Sequence, residues 1–185
     1  MGCDCPVTRK HSALPAGGKS TLARELCEQY EKGVHIETDA LRHLVVKGFV
    51  PPRPLNEEAH RQAQIMRQNA CAIALNYQVN GFFVVIDEVL ADPAPYLHHL
   101  HNHSVITVFI KPELEHCLKR NAERVNKDPE TRLELDAFIK YFYSETEQED
   151  FTRRWDVVID NTGLHASETR EKIMQCIQQK YPASL

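Results

Sequence analysis

An α/β fold, with a mostly parallel sheet covered by helices on both faces, is what this sequence predicts, and three observations predict it. Apolar strand-like runs alternate with capped helical stretches along most of the chain. Phe82-Phe-Val-Val-Ile-Asp87 is a continuous apolar run, which marks a strand buried on both faces. Ala13-Leu-Pro-Ala-Gly-Gly-Lys-Ser20 sets a glycine-lysine-hydroxyl string directly before an amphipathic helix.

Taken in order, the first twelve residues are the least regular. Pro6 cannot donate to a ladder, and Arg9, Lys10 and His11 break any apolar run. Either a short irregular strand runs through Val7 to His11, or these residues are foreign to the fold. Thr21 to Tyr30 has good helix formers, with Leu22 and Leu26 on one face. Gly33 to Glu37 is a short strand. Thr38 to Val46 starts a helix, with Thr38 or Asp39 as N-cap. Phe49-Val-Pro-Pro-Arg-Pro54 cannot be helical. Asn56 caps a long helix over Glu57 to Val79, and Asn80-Gly81 stops it.

Phe82 to Asp87 and Ser104 to Ile110 are the next strands, and Pro112 opens a helix to about Val125. A charged loop over residues 126–132 precedes a helix from Leu133 to Ser144 or beyond. Trp155 to Asp160 is the last strand, and Ser167 caps a final helix to about Gln179. A chain of 185 residues with this pattern is expected to form one domain.

Composition bounds the partners. With 26 acidic and 22 basic residues the chain carries −4, so it has no general attraction for nucleic acid or anionic membranes. No apolar stretch approaches the ~20 residues that span a bilayer, and the first residues lack the apolar core of a secretory signal. The six cysteines are scattered and read as reduced, small apolar side chains, as in a cytoplasmic protein. Cys3-x-Cys5 with His11 lacks the second pair that a zinc site wants. His98, His99, His101 and His103 read as a solvated turn, because adjacent histidines do not converge without a framework. Trp155, Phe138, Tyr141, Phe142 and Tyr143 read as packing residues.

The string at 13–20 matches the phosphate-binding loop G-x-x-x-x-G-K-S/T everywhere except its first glycine, here Ala13. Pro15, Ala16, Gly17 and Gly18 would turn backbone N–H groups around an anion. Lys19 would reach the β- and γ-phosphates, Ser20 would offer its hydroxyl to magnesium, and Thr21 opens the helix whose dipole favours the anion. Asp87-Glu88 ends an apolar strand, as a magnesium-shell carboxylate does in a Walker B element. Acidic residues also end many ordinary strands.

Together these pieces resemble the small P-loop kinases of the chloramphenicol phosphotransferase and zeta-toxin-like group, related to nucleoside monophosphate kinases and adenylylsulfate kinase. The resemblance runs from about Leu14 to Ile177 and departs at Ala13 and in the polar first strand. It implies a three-layer fold with a five-stranded, mostly parallel sheet in the order 2-3-1-4-5. At most Val7 to Ser12 would then pair, between strands 3 and 4.

The resemblance also implies ATP and magnesium as cofactors, with Asp87 and Ser20 on the metal. Asp39, in Ile36-Glu-Thr-Asp-Ala-Leu-Arg42, looks like the acid that engages the acceptor hydroxyl, and Arg42 like the arginine that meets phosphate or substrate. A plain helix cap is the alternative for Asp39. Arg120 and Arg124 share a helix face and resemble lid arginines over the nucleotide, with Arg132 a third phosphate contact. Cations near a helix C-terminus are also what the macrodipole favours. Asn161, in Asp160-Asn-Thr-Gly163, falls where the adenine loop would lie; its plain alternative is a turn.

The implied activity is ATP-dependent phosphoryl transfer to a hydroxyl of a small molecule. A kinase of nucleotides or nucleic-acid ends would need a basic groove, whereas a pocket lined by Leu41, Leu44, Val45 and aromatics would suit a small molecule. A nucleotide-binding protein with little turnover is the third alternative, motivated by the polar first strand.

Overall fold

The computed structural model describes residues 8–13, 15–123 and 128–180. Its strands are β1 (Thr8–Ala13), β2 (Gly33–Glu37), β3 (Phe83–Glu88), β4 (Val105–Ile110) and β5 (Val157–Ile159). Its helices are α1 (Lys19–Cys27), α2 (Thr38–Arg42), α3 (Glu57–Val79), α4 (Ala94–Leu97), α5 (Leu114–Ala122), α6 (Pro129–Glu145) and α7 (Ala166–Lys180). A 3₁₀ turn, Phe151–Arg154, precedes β5.

The strands form one parallel sheet in the order β2-β3-β1-β4-β5. Residues 1–7 lie outside the described residues. From Thr8 onward β1 pairs with both β3 and β4, so a polar sequence occupies the middle of the sheet.

Two apolar layers flank this sheet. Every residue of β3 is buried, and its side chains alternate between faces. Val85 joins Leu22 and Leu26 of α1, Ile106 and Val108 of β4, and Ile173 of α7 on one side. Val84 and Ile86 join Ala70, Cys71 and Ala74 of α3 on the other. The unbroken apolar run in the sequence follows from burial on two faces. A third cluster packs Phe109 with Cys117, Ile139, Phe142, Phe151 and Trp155. Trp155 and Phe142 are core residues there, whereas Tyr141 is exposed.

Several elements differ from expectation. The helix after β2 stops at Arg42 instead of reaching Val46. Leu44 and Val46 are 71% and 97% exposed, so the continuation has no core to pack against, and Val45-Val46 has poor helix propensity. Neither Thr38 nor Asp39 is the N-cap: Glu37 takes that place, and the Thr38 hydroxyl donates instead to the Asp87 carbonyl oxygen at 2.9 Å.

The loop expected over 126–132 is shorter, because Asp128 accepts from the Thr131 N–H at 2.9 Å and Pro129 opens α6. Arg132 therefore sits in a helical first turn. Pro112 lies ahead of α5, which begins at Leu114. Ser167 is not a cap either: α7 begins at Ala166, and Glu168 accepts from the His165 N–H at 2.8 Å. Expected features that hold include Asn56 accepting from the Ala59 N–H at 2.8 Å and the stop at Asn80-Gly81.

Candidate active site

Register decides where the chemistry collects. Ser12 of β1 lies beside Glu88, and Glu37 of β2 lies beside Asp87. The phosphate loop, the Asp87-Glu88 pair and the Thr38-Asp39 turn therefore leave the same carboxyl edge of the sheet, where open α/β sheets bind ligands.

Ala13 ends β1 as an ordinary strand residue, so the missing first glycine costs no left-handed turn there. The left-handed positions fall at Ala16, with φ +65°, and Gly18, with φ +86°. An alanine in that region stores about 1 kcal/mol of strain. Gly18 takes a left-handed conformation that glycine adopts freely, and Arg120 Nη1 lies 3.3 Å from where a Cβ would sit.

From Gly18 the chain enters α1, and Lys19 and Ser20 turn towards Asp87. Lys19 Nζ lies 4.0 Å from Asp87 Oδ1, and the Ser20 hydroxyl bonds to the same carboxylate. His35 Nε2 lies 2.6 Å from Asp87 Oδ2. Burial pushes the Asp87 pKa up. The His35 hydrogen bond, the Lys19 charge and Ser20 outweigh it, and hold the carboxyl below its ordinary value. Asp87 is thus a buried, ionised oxygen donor facing a hydroxyl.

Glu88 plays a different part. Arg67 of α3 grips both its oxygens, at 3.1 and 2.8 Å, and the Tyr96 hydroxyl donates at 2.7 Å. Arg42 reaches it at 3.4 Å while its Nε lies 3.7 Å from Asp39 Oδ1. Asp39 itself is 63% exposed at the mouth of the site. Burial lowers the Arg67 pKa, but Glu88 raises it further, so the guanidinium stays charged.

Two cavities open here. One, of about 320 Å³, is lined by Ala16, Gly18, Thr21, Arg120, Asn161 and Leu164. Asn161 Nδ2 donates to the Gly17 carbonyl at 3.2 Å, and its buried Oδ1 has no partner. The other, of about 400 Å³, is walled by Leu41, Leu44, Val45, Phe49 and Met66, with Arg42 at its edge.

A family profile described as an AAA domain matches residues 14–144. The chain belongs to this AAA domain family. Within it the chain has the P-loop kinase fold, and solved structures with that fold resemble it over nearly their whole length. Shikimate kinase from Bacteroides thetaiotaomicron superposes with a TM-score of 0.67 at 13% identity, covering 93% of this chain and 98% of that one. A gluconokinase from Sinorhizobium meliloti 1021 gives 0.64 at 14%, with 96% and 94% covered. The tunicamycin resistance protein of Deinococcus radiodurans gives 0.61 at 17%, with 96% of each chain covered. At these identities the likeness is one of fold. Among curated proteins no sequence matches.

For this AAA domain, the structure brings Lys19, Ser20 and Asp87 together, and Ala16, Gly18, Thr21, Arg120 and Asn161 around one cavity. Arg42 stands between Asp39 and Glu88. Arg132 is drawn elsewhere: its carbonyl accepts from Asn121 and its Nη1 donates to the Ala122 carbonyl at 3.4 Å. Arg124 lies outside the described residues, as do Cys3 and Cys5. The described free cysteines include buried Cys27, Cys71 and Cys117. Among the described residues no cluster of three or more His, Cys, Asp or Glu could hold a metal, and no helix is long and apolar enough to cross a membrane.

His35, Arg67 and Tyr96 touch the Asp87-Glu88 pair, and the sequence reading passed over them. Arg67 carried a signal: it interrupts the stripe of Ala63, Met66, Ala70 and Ala74, and a charge on an apolar face needs a buried partner. His35 carried none, since its partner is 52 residues away.

Proposed function

We propose that this protein is an ATP-dependent kinase that transfers the γ-phosphoryl group to a hydroxyl of a small molecule. One observation carries the reading. Asp87 is met from one side by Lys19 and Ser20 of the phosphate loop, and from the other by β2, which runs directly into Thr38-Asp39. Donor and acceptor machinery thus share one carboxylate as their hinge.

The residues suit magnesium. Ser20 and Asp87 are hard oxygen donors, and Asp87 is held ionised. Magnesium commonly takes one or two protein oxygens and completes its shell from phosphates and water. Ser20 and Asp87 would hold it, and when bound it would neutralise charge on the phosphate oxygens. Lys19 would bind the β- and γ-phosphates, and the loop from Pro15 to Gly18, with Gly17 between Ala16 and Gly18, would cradle them. Arg120, beside Gly18, would close over the nucleotide, as would Arg124. The Asn161 Oδ1 atom is an acceptor available to an exocyclic amine of the base.

On the other side Asp39 would orient the acceptor hydroxyl and take its proton. The oxygen of the acceptor hydroxyl would form the new P–O bond to the γ-phosphorus as that phosphorus parts from the β–γ bridging oxygen and ADP leaves. Such transfer depends on positioning more than on a strong base. The cavity of Leu41, Leu44, Val45 and Phe49 favours a small molecule with an apolar body over a nucleic-acid end.

Purified protein with ATP and magnesium, screened against metabolite pools for ATP consumption and a phosphorylated product, tests the reading. Lys19→Ala should abolish both nucleotide binding and turnover. Lys19 is only 17% exposed, so circular dichroism and melting should accompany the assay. ATP binding without consumption in any pool would favour a nucleotide-binding protein without turnover, and unchanged ATP affinity in Lys19→Ala would defeat the loop assignment.

A further inference from the structure

Asp87 is gripped twice, by β2 and by the first residue of α2. His35 Nε2 lies 2.6 Å from Asp87 Oδ2, and the Thr38 hydroxyl donates to the Asp87 carbonyl oxygen at 2.9 Å. Register explains the first contact: His35 stands beside Val85, and Val85 shares its sheet face with Asp87, two residues on. Both side chains are enclosed, at 13% and 2% exposure.

The direction of that hydrogen bond is fixed by its partner. An ionised carboxylate only accepts, so His35 Nε2 carries the proton and donates. A bond this short between a ring N–H and a carboxylate is of the strong, charge-assisted kind. The terminal torsion of an aspartate is broad, so nothing in Asp87 itself decides which oxygen faces the phosphate loop. His35 decides it. With Oδ2 held by β2, Oδ1 is the oxygen that Lys19 Nζ approaches, at 4.0 Å.

An aspartate with one oxygen engaged presents a single donor atom to a cation. Magnesium wants near-ideal octahedral geometry and is satisfied by one oxygen from a carboxylate, and manganese also takes six oxygens octahedrally. Calcium takes about six to eight oxygens and readily uses both of one carboxylate.

We propose that His35 is a positioning residue for the cation site. Its Nε2–H reserves Asp87 Oδ2, presents Oδ1 on the side of Lys19 and Ser20, and so favours a small octahedral ion over calcium. This rests on the reading of Ser20 and Asp87 as the magnesium donors given above.

The test reads metal binding. Protein loaded with a non-hydrolysable ATP analogue is titrated with Mn2+, followed by the electron paramagnetic resonance of the free ion, and Ca2+ is then added as competitor. His35→Phe keeps a flat ring and removes the donor, whereas His35→Gln keeps an N–H near the place of Nε2. His35→Phe should weaken Mn2+ about tenfold or more. It should weaken Ca2+ less, so the preference for Mn2+ narrows. His35→Gln should recover most of both, and affinity for the analogue in EDTA should stay close to the parent value in both variants.

Mn2+ binding as tight as the parent in His35→Phe, equal losses for the two ions, or no recovery in His35→Gln would overturn the proposal. Should His35→Phe fail to fold, NMR of the parent labelled on histidine decides. His35 should be protonated on Nε2, with that proton slow to exchange before and after Mg2+ joins the analogue. A ring protonated on Nδ1 alone, or an Nε2–H signal lost when Mg2+ binds, overturns the assignment. None of these readouts needs turnover. Absent ATP consumption would count against the kinase reading alone, an unchanged metal preference against His35 alone, and a parent that binds neither analogue nor Mn2+ against both.

Discussion

Arg67 holds both carboxylate oxygens of Glu88 inside the protein, at 3.1 and 2.8 Å, and so ties α3 to the end of β3. The Tyr96 hydroxyl joins α4 to the same carboxylate, and Arg42 joins α2. One buried anion therefore fixes three helices around the carboxyl end of β3.

Removing its main partner should be costly. Arg67→Ala takes the two-point cationic partner from Glu88, whose side chain is 3% exposed, while Tyr96 and a long contact to Arg42 remain. A loss of about 3–5 kcal/mol is expected from an uncompensated buried charge. Urea unfolding should show it. A change below about 1 kcal/mol would mean that Arg42 takes over the pairing.

Asp39 should behave in the opposite way. It caps no helix, stands 63% exposed, and meets Arg42 only at 3.7 Å. Asp39→Asn should therefore cost less than about 1 kcal/mol of stability. If Asp39 orients the acceptor, kcat should fall roughly a hundredfold with ATP affinity near normal. A variant with intact kcat would remove Asp39 from the chemistry.

Ala16 offers a gain. Its φ of +65° is a conformation glycine adopts freely, so Ala16→Gly relieves strain in the folded loop. It also gives the unfolded chain more freedom, which offsets part of the benefit. A net stabilisation of about 0.5 kcal/mol is expected, read as a small rise in Tm. A clear fall in Tm would contradict the left-handed assignment.

Cys27 and Cys117 make stability fall in alkali. Burial is the main cause in each, pushing both thiols up to about 11. The unfolded chain ionises near 9 while the folded one stays protonated, so the unfolded state binds fewer protons over that window. Their contribution is complete below pH 9 and is lost as pH rises towards 11, at about 1.4 kcal/mol per pH unit for each thiol. Denaturant unfolding from pH 8 to 11 should show the slope, and Cys27→Ala should reduce it. An unchanged slope would mean the thiols are not protected.

Local patterns were enough for the elements with strong local causes. The Phe82–Asp87 run announced β3 because a strand buried on both faces must be apolar throughout. Asn56 and Asn80-Gly81 bounded α3 because capping is settled within one turn. The Lys19-Ser20 string announced the loop because few other structures require that spacing. Elsewhere the sequence misled: Thr38 looked like a cap, yet its hydroxyl is claimed by the Asp87 carbonyl of a neighbouring strand.

What tertiary structure alone decided is which distant groups meet. The sheet order, which the family resemblance implied and residue patterns did not, brings β2 beside β3 and so sets His35 against Asp87 across 52 positions of sequence. It likewise sets Arg67 on Glu88 and Arg53 on Phe138. Hydrophobic periodicity tells each segment which face to bury but not which partner will cover it. Ion pairs and stacking contacts form only after that choice, so the surroundings of Asp87 and Glu88 are decided by the packing of α2, α3 and α4 against the sheet.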